Sequence, residues 1–148
     1  MDRVIVLDAG PLGLISNPKQ TSLNLDCVRW LQDQMDLGRR ILLPEIADYE
    51  VRRELSRGKK ARGLDRLNGL AQTLEYLPIT TAAMRKAAEL WALARQEGRP
   101  TADSKSLDAD VILAAQAFTL DAADRVIATT NVGHLRRYVP AGLWQNIR

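Results

Sequence analysis

Cysteine and histidine are almost missing from this chain: Cys27 and His134 are the single examples in 148 residues. A lone cysteine closes no internal disulfide, and Cys27 falls in a helical pattern with Leu25, Val28 and Leu31, where it reads as a buried structural thiol rather than a nucleophile. No Walker loop and no glycine-rich dinucleotide fingerprint occurs, which leaves little room for nucleotide-cofactor chemistry. Long apolar runs are lacking as well. None approaches the roughly 20 residues of a membrane span, so no membrane role is expected. The first apolar run ends in Asp8 without a small-residue cleavage site, which argues against a signal peptide and for a cytoplasmic protein. Charge of one sign is scarce overall: 21 basic and 18 acidic residues leave a net charge of +3, so global charge does not announce a nucleic-acid binder.

What the chain does have is alternation of short apolar runs and helical patterns, within a length that suits one domain over residues 1–148. Val4 to Leu7 is a continuous apolar run of strand length that stops at Asp8 and passes into the turn residues Ala9-Gly10-Pro11. A helix is expected from Leu23 to Leu37, ending at Gly38. Arg40 to Pro44 reads as a second buried strand, with a helix from Glu45 to Arg57 directly behind it. Gly58 and Gly63 bracket a basic loop, Leu64 to Leu74 is helical, and Leu74 to Ile79 gives a third strand. Thr80 or Thr81 can cap the helix carrying Met84 to Ala94, which stops at Gly98. Arg99 to Ser106 reads as a polar connection. Asp108 to Phe118 is an apolar, buried helix, Arg125 to Thr129 a fourth strand, His134 to Tyr138 a short helix, and Leu143 to Ile147 a last edge strand. The pattern predicts an α/β fold with a parallel sheet between helical layers.

Parallel strands bring their carboxyl ends to one edge, where open α/β sheets bind ligands. Asp8 ends the first strand there. Glu50 lies within two turns of the helix after the second, and Asp110 opens the helix before the fourth. Asp124 precedes the fourth strand and belongs to the opposite edge. Crowded carboxylates raise one another's pKa, a cost that divalent cations relieve. Magnesium and manganese take such oxygen ligands, and a metal so held can activate water against a phosphodiester. Asp108 rivals Asp110, because two residues along a helix turn a side chain by about 200 degrees and only one of the two is expected to face the site; Asp108 also suits a helix cap. Elsewhere, Arg52, Arg53, Lys59 and Lys60 belong to a basic stretch that is either a solvated helix end or a rim that contacts RNA phosphates.

The strand Val4-Ile5-Val6-Leu7-Asp8, the strand end Leu43-Pro44 with Glu50 six residues on, the segment Asp110 to Ala117, and Val126-Ile127-Ala128-Thr129-Thr130-Asn131 together resemble the PIN-domain ribonucleases, in particular the VapC-type toxins of bacterial toxin-antitoxin pairs. The likeness spans nearly the whole chain. It implies a three-layer fold with sheet order 3-2-1-4-5 and a magnesium- or manganese-dependent endoribonuclease in which Asp8, Glu50 and Asp110 match the first three family acids. It also implies homodimerisation and a cognate antitoxin. The family's fourth acid often completes a Thr-x-Asn-x-x-Asp pattern; here Thr129 and Asn131 are in place, but His134 stands where that acid would be. Thr129, Asn131 and His134 are therefore accessory candidates.

Each of these residues also has a plainer reading. Asp8 alone suits a turn or cap, Glu45 and Glu54 share a helix with Glu50, and Asp103 reads as a solvated loop acid. Thr129 and Asn131 can serve backbone groups, and His134 can be a surface residue. Trp30, Trp91 and Trp144 read as core or interface. The alternatives to a ribonuclease are a non-catalytic PIN-like module that binds RNA or protein, and a DNA-directed nuclease or phosphatase-like metal hydrolase.

Overall fold

The computed structural model describes residues 3–97, 104–133 and 135–148. His134, Asp103 and most of the expected connection after Gly98 lie outside these residues. Five strands form one parallel sheet: β1 (Val4–Leu7), β2 (Arg40–Pro44), β3 (Glu75–Leu77), β4 (Arg125–Thr129) and β5 (Ala141–Leu143), in the order β3-β2-β1-β4-β5. β1 is central. It pairs with β2 through Ile5 and Ile41, and with β4 through Leu7 and Ala128.

Both faces of the sheet are covered, which explains why its inner strands read as continuous rather than alternating apolar runs. Ile5 and Leu7 of β1, Ile41 and Leu43 of β2, and Val126 and Ala128 of β4 face one core. That core is closed by α1 (Ala9–Ser16), α2 (Ser22–Asp36), α3 (Glu45–Arg57) and α4 (Ala61–Thr73). The intervening Val4, Val6, Leu42 and Ile127 face a second core beneath α5 (Thr81–Gln96) and α6 (Ser104–Phe118). Cys27 is fully buried in the first core, where burial pushes its thiol up to about 12. Trp30 and Trp144 pack there with ring centroids 5.9 Å apart, whereas Trp91 is an exposed residue of α5.

Five expectations from the sequence need correction. The residues after Asp8 form a helix, not a turn. Asp8 caps α1 by accepting the Ala9 N–H at 2.7 Å, and Pro11 falls in the first turn, where no backbone donor is required. Helix α4 begins at Ala61, so the basic loop is only Gly58-Lys59-Lys60. Helix α6 begins at Ser104, which puts exposed Asp108 in its second turn and removes it as a cap. The last strand is Ala141–Leu143, followed by a 3-10 turn at Trp144–Asn146. The short helix expected from His134 to Tyr138 is a single 3-10 turn, Leu135–Arg137.

Two helix ends share one closing motif with different residues. At the end of α2, Gly38 donates to the Met35 carbonyl and Arg39 to that of Gln34, with Gly38 at a φ of 79°. At the end of α3, Lys59 donates to Ser56 and Lys60 to Leu55, and Lys59 takes the equivalent position at a φ of 54°. This is the Schellman closure, whose left-handed residue is usually glycine. A side chain there costs about 1 kcal/mol.

The layers are pinned near the carboxyl edge by Gln116, which is 1% exposed. Its Oε1 accepts the Ile46 N–H at the start of α3, and its Nε2 donates to the Leu77 carbonyl at the end of β3. Glu45 adds a second tie by accepting the Ile79 N–H at 2.7 Å. Leucine at position 116 keeps the volume but leaves Ile46 N–H and Leu77 C=O without their partner. Gln116→Leu is expected to cost about 2–4 kcal/mol in urea unfolding; a change below about 0.5 kcal/mol, the usual range of a surface substitution, contradicts this role.

Candidate active site at the carboxyl edge of the sheet

The parallel register delivers Asp8 to the sheet edge, where its N–H still pairs with the Ala128 carbonyl at 2.9 Å. The side chain is held from two sides. Oδ1 caps α1, and Oδ2 accepts the Thr129 hydroxyl at 2.7 Å. Thr129 is 1% exposed at the end of β4 and also accepts the Asn131 N–H at 3.1 Å. It is a positioning residue for Asp8 that also braces the loop behind it. Asn131 turns its own Oδ1 to the Gly133 N–H at 3.1 Å, so this side chain shapes the loop. Gly10 lets α1 approach that loop closely: a Cβ there would lie 2.9 Å from Thr130 Cβ and nearer still to its methyl and hydroxyl.

Glu50 comes to the edge from the second turn of α3 and Asp110 from α6, both half-buried. Burial is the main cause of a raised pKa in all three acids, Asp8 included. For Asp8 it outweighs the hydrogen bonds from Thr129 and Ala9, which favour the carboxylate. Glu50 is pushed up to about 7 by burial, then by the charge of Asp8, with Arg53 opposing and Asp110 adding to the rise. Asp110 is pushed up to about 6 by burial and by Asp8. Residues that are 42 and 60 positions from one another along the chain thus feel one another's charge.

Three half-buried carboxylates form a donor set that suits a hard divalent cation, and their shared desolvation and repulsion are what such an ion offsets. In this chemical sense the residues fit a metal. Among the described residues no group of three or more His, Cys, Asp or Glu side chains is placed to hold a metal ion as it stands, so the edge is an open carboxylate cluster rather than a finished metal site.

The remaining candidates separate clearly. Exposed Asp108 lines a small groove between α5 and α6 with Met84 and Trp91, away from this edge. Asp124 lies at the amino end of β4, 3.7 Å from Arg3. Arg52 is tied to Asp48 at 2.9 Å and to Asn68 at 2.8 Å. Arg53, Lys59 and Lys60, by contrast, line a cleft of about 830 Å³ that Glu50 also lines. Lys19 and Arg62 line it too; the sequence offered no sign that Lys19, forty residues from Lys59, belongs with them. Tyr138 is a further residue the reading passed over. Its buried hydroxyl has no hydrogen-bond partner among the described residues and lies in the field of Asp110.

A raised carboxyl pKa makes stability depend on pH with a definite sign. Between the ordinary glutamate value of 4.5 and the value of about 7 in the fold, the folded state holds a proton that the unfolded chain has released. Folding stability contributed by Glu50 is therefore lost as pH rises through that window. With chelator present, Tm is expected to be higher at roughly pH 5.5 than at roughly pH 7.5, with Glu50→Gln flattening the difference. An identical pH slope in the variant refutes the assignment.

Comparison with known proteins bears on the fold and the family. The family model described as PIN domain matches residues 6–138. Among solved structures, VapBC2 from Rickettsia felis bound to a promoter DNA fragment matches with a TM-score of 0.69 and 17% identity, covering 95% of this chain and 98% of that one. DNA-bound VapBC from Salmonella typhimurium matches with 0.65 and 19%, covering 97% and 99%. VapBC-1 from nontypeable Haemophilus influenzae matches with 0.66 and 16%, again covering 97% and 99%. No relative among the curated proteins matches significantly. At these identities the structural likeness speaks for the fold, and the family follows from the sequence match across most of the chain: the protein belongs to the PIN domain family.

Proposed function

We propose that this protein is a metal-dependent endoribonuclease and the toxin member of a VapBC-type toxin-antitoxin pair. The observation that carries the reading is the meeting of Asp8, Glu50 and Asp110 from separate elements at the carboxyl edge, each with its charge penalised by burial. Structural active sites concentrate such perturbed groups. Membership of the PIN family supports nuclease chemistry, and the recurrence of VapBC complexes among the structural neighbours supports the toxin assignment.

Asp8, Glu50 and Asp110 would hold magnesium or manganese, which when bound supplies activation of water and neutralisation of phosphodiester charge. The chain's own contribution is to place and orient. Thr129 holds one oxygen of Asp8 by a hydrogen bond and α1 holds the other. That leaves the outer lone pairs of both oxygens for a ligand. Glu50 and Asp110, which make no such side-chain hydrogen bond among the described residues, supply charge that can adjust its position. An antitoxin partner and homodimerisation belong to the same reading. A cytoplasmic location belongs to the same reading; no helix among the described residues is long and apolar enough to cross a membrane.

The second reading, a non-catalytic module that binds RNA or protein, is favoured by two observations. Asn131 is engaged within its own loop, and the carboxylate cluster is open. The two readings part on cleavage. With magnesium or manganese, the wild-type protein is expected to cut single-stranded RNA in preference to DNA, Asp8→Asn to lose at least about 100-fold in rate, and Thr129→Val to lose less. RNA binding without metal-dependent cleavage identifies the module instead, and an unimpaired Asp8→Asn enzyme removes the site.

A further inference from the structure

The motif that closes α2 and α3 provides an internal control. At the end of α2, which does not line the cleft, the chain places glycine, Gly38, at the left-handed position. At the end of α3 the same two hydrogen bonds are made around Lys59, a residue that adopts that conformation at a cost. Strain retained in the wall of a cleft calls for a use of the side chain.

The surroundings of Lys59 indicate what that use is. Lys19, Lys59, Lys60 and Arg62 line the cleft between α1, α3 and α4, and none of them forms an ion pair among the described residues. The acids of the same cleft are Glu54, occupied by Arg57 at 2.6 Å, and Glu50 at the catalytic end. Arg53 lies between, stacked 5.2 Å over the Tyr49 ring and lowering the pKa of Glu50. The cleft therefore runs from a carboxylate cluster to a group of uncompensated cations on one continuous surface. A linear polyanion fits both ends, with one phosphodiester at the acids and the next phosphates along the cations.

Resting on the ribonuclease reading, we propose that the cleft between α1, α3 and α4 is a subsite for the RNA backbone flanking the scissile bond. Lys59, fixed by the helix closure, is its substrate-positioning residue. It contacts phosphate rather than base, so it contributes affinity and length dependence but no sequence preference. The enzyme then requires several unpaired nucleotides on one side of the cut, and substrates trimmed on that side are bound more weakly.

Lys59→Gly separates this role from a structural one, because it relieves the backbone while removing the charge. The probe is a fluorescein-labelled single-stranded 12-nucleotide RNA, a length of roughly one site size for single-strand binders, followed by anisotropy in EDTA over a salt series and compared with thermal melting. Lys59→Gly is expected to raise Tm by about 2–4 °C while weakening RNA binding roughly 3- to 10-fold and reducing the salt slope by about 0.7. Lys59→Gln is expected to lose the same affinity with no gain in Tm. An unchanged affinity and slope in both variants overturns the proposal, as does failure of the wild type to bind the RNA. So does a poly-glutamate chain of equal length binding as tightly, which assigns the cleft to an acidic protein segment. Cleavage is scored separately. Lys59-dependent binding without cleavage upholds the subsite and removes the nuclease, whereas cleavage indifferent to Lys59 does the reverse.

Discussion

The parallel pairing of β1 with β2 on one side and β4 on the other is the constraint from which the site follows. With both edges hydrogen-bonded and both faces covered, β1 can change character only where it leaves the sheet, and the residue that stands there is Asp8. The same register places Thr129 of β4 beside it, and the same layering carries α3 and α6 across the sheet edge. An acid in any other position of β1 would be buried without compensation. At its end, Asp8 gains an N–H from the helix it starts and a hydroxyl from the neighbouring strand.

Holding three acids together works against folding, and the structure offsets this by fixing their carriers through other groups. Gln116 ties α6 to the first turn of α3 and to the end of β3. Asp48, buried two residues before Glu50, binds Arg52 and the Tyr76 hydroxyl, which fastens the outer side of α3 to β3. These contacts lie outside the carboxylate cluster and do not consume its oxygens. Repulsion within the cluster is thereby resisted by neutral and charge-paired interactions behind it.

The sheet was legible in the sequence because strands buried on both faces leave unbroken apolar runs, and runs such as Val4 to Leu7 or Ile41 to Leu43 have few other uses. Asp8 was legible for the same reason: a carboxylate breaks such a run abruptly. Glu50 and Asp110 needed the family resemblance, since helix periodicity gives a face but not which turn of that face meets the sheet edge. Helix α1 was misread because Gly10 and Pro11 are turn formers in most settings. Here proline sits where a helix wants no donor, and glycine is needed for close approach to Thr130. Helix α6 was read as starting late because its first turn, Ser-Lys-Ser-Leu, is mostly polar. Nothing in a single sequence marks Lys59 as left-handed, since the usual signal for that conformation is glycine itself, and nothing in the order of residues brings Lys19 to the α3–α4 turn.

Charge distribution, rather than net charge, is what the fold makes of the sequence's near balance. Most of the basic residues between Arg52 and Arg66 look alike in the sequence, yet the structure divides them by partner. Arg52 is spent on Asp48, Arg57 on Glu54, and Arg66 on the Ile15 carbonyl. Lys59, Lys60 and Arg62 are left facing the cleft that Glu50 enters. Exposed charges act across about 8 Å at physiological salt, so the influence of these cations on an approaching polyanion is local to the cleft and its mouth. Arg53 stands at the junction, over the Tyr49 ring and with its field on Glu50. A guanidinium so placed holds the glutamate nearer to its charged form, at the wall of the cleft that both residues line.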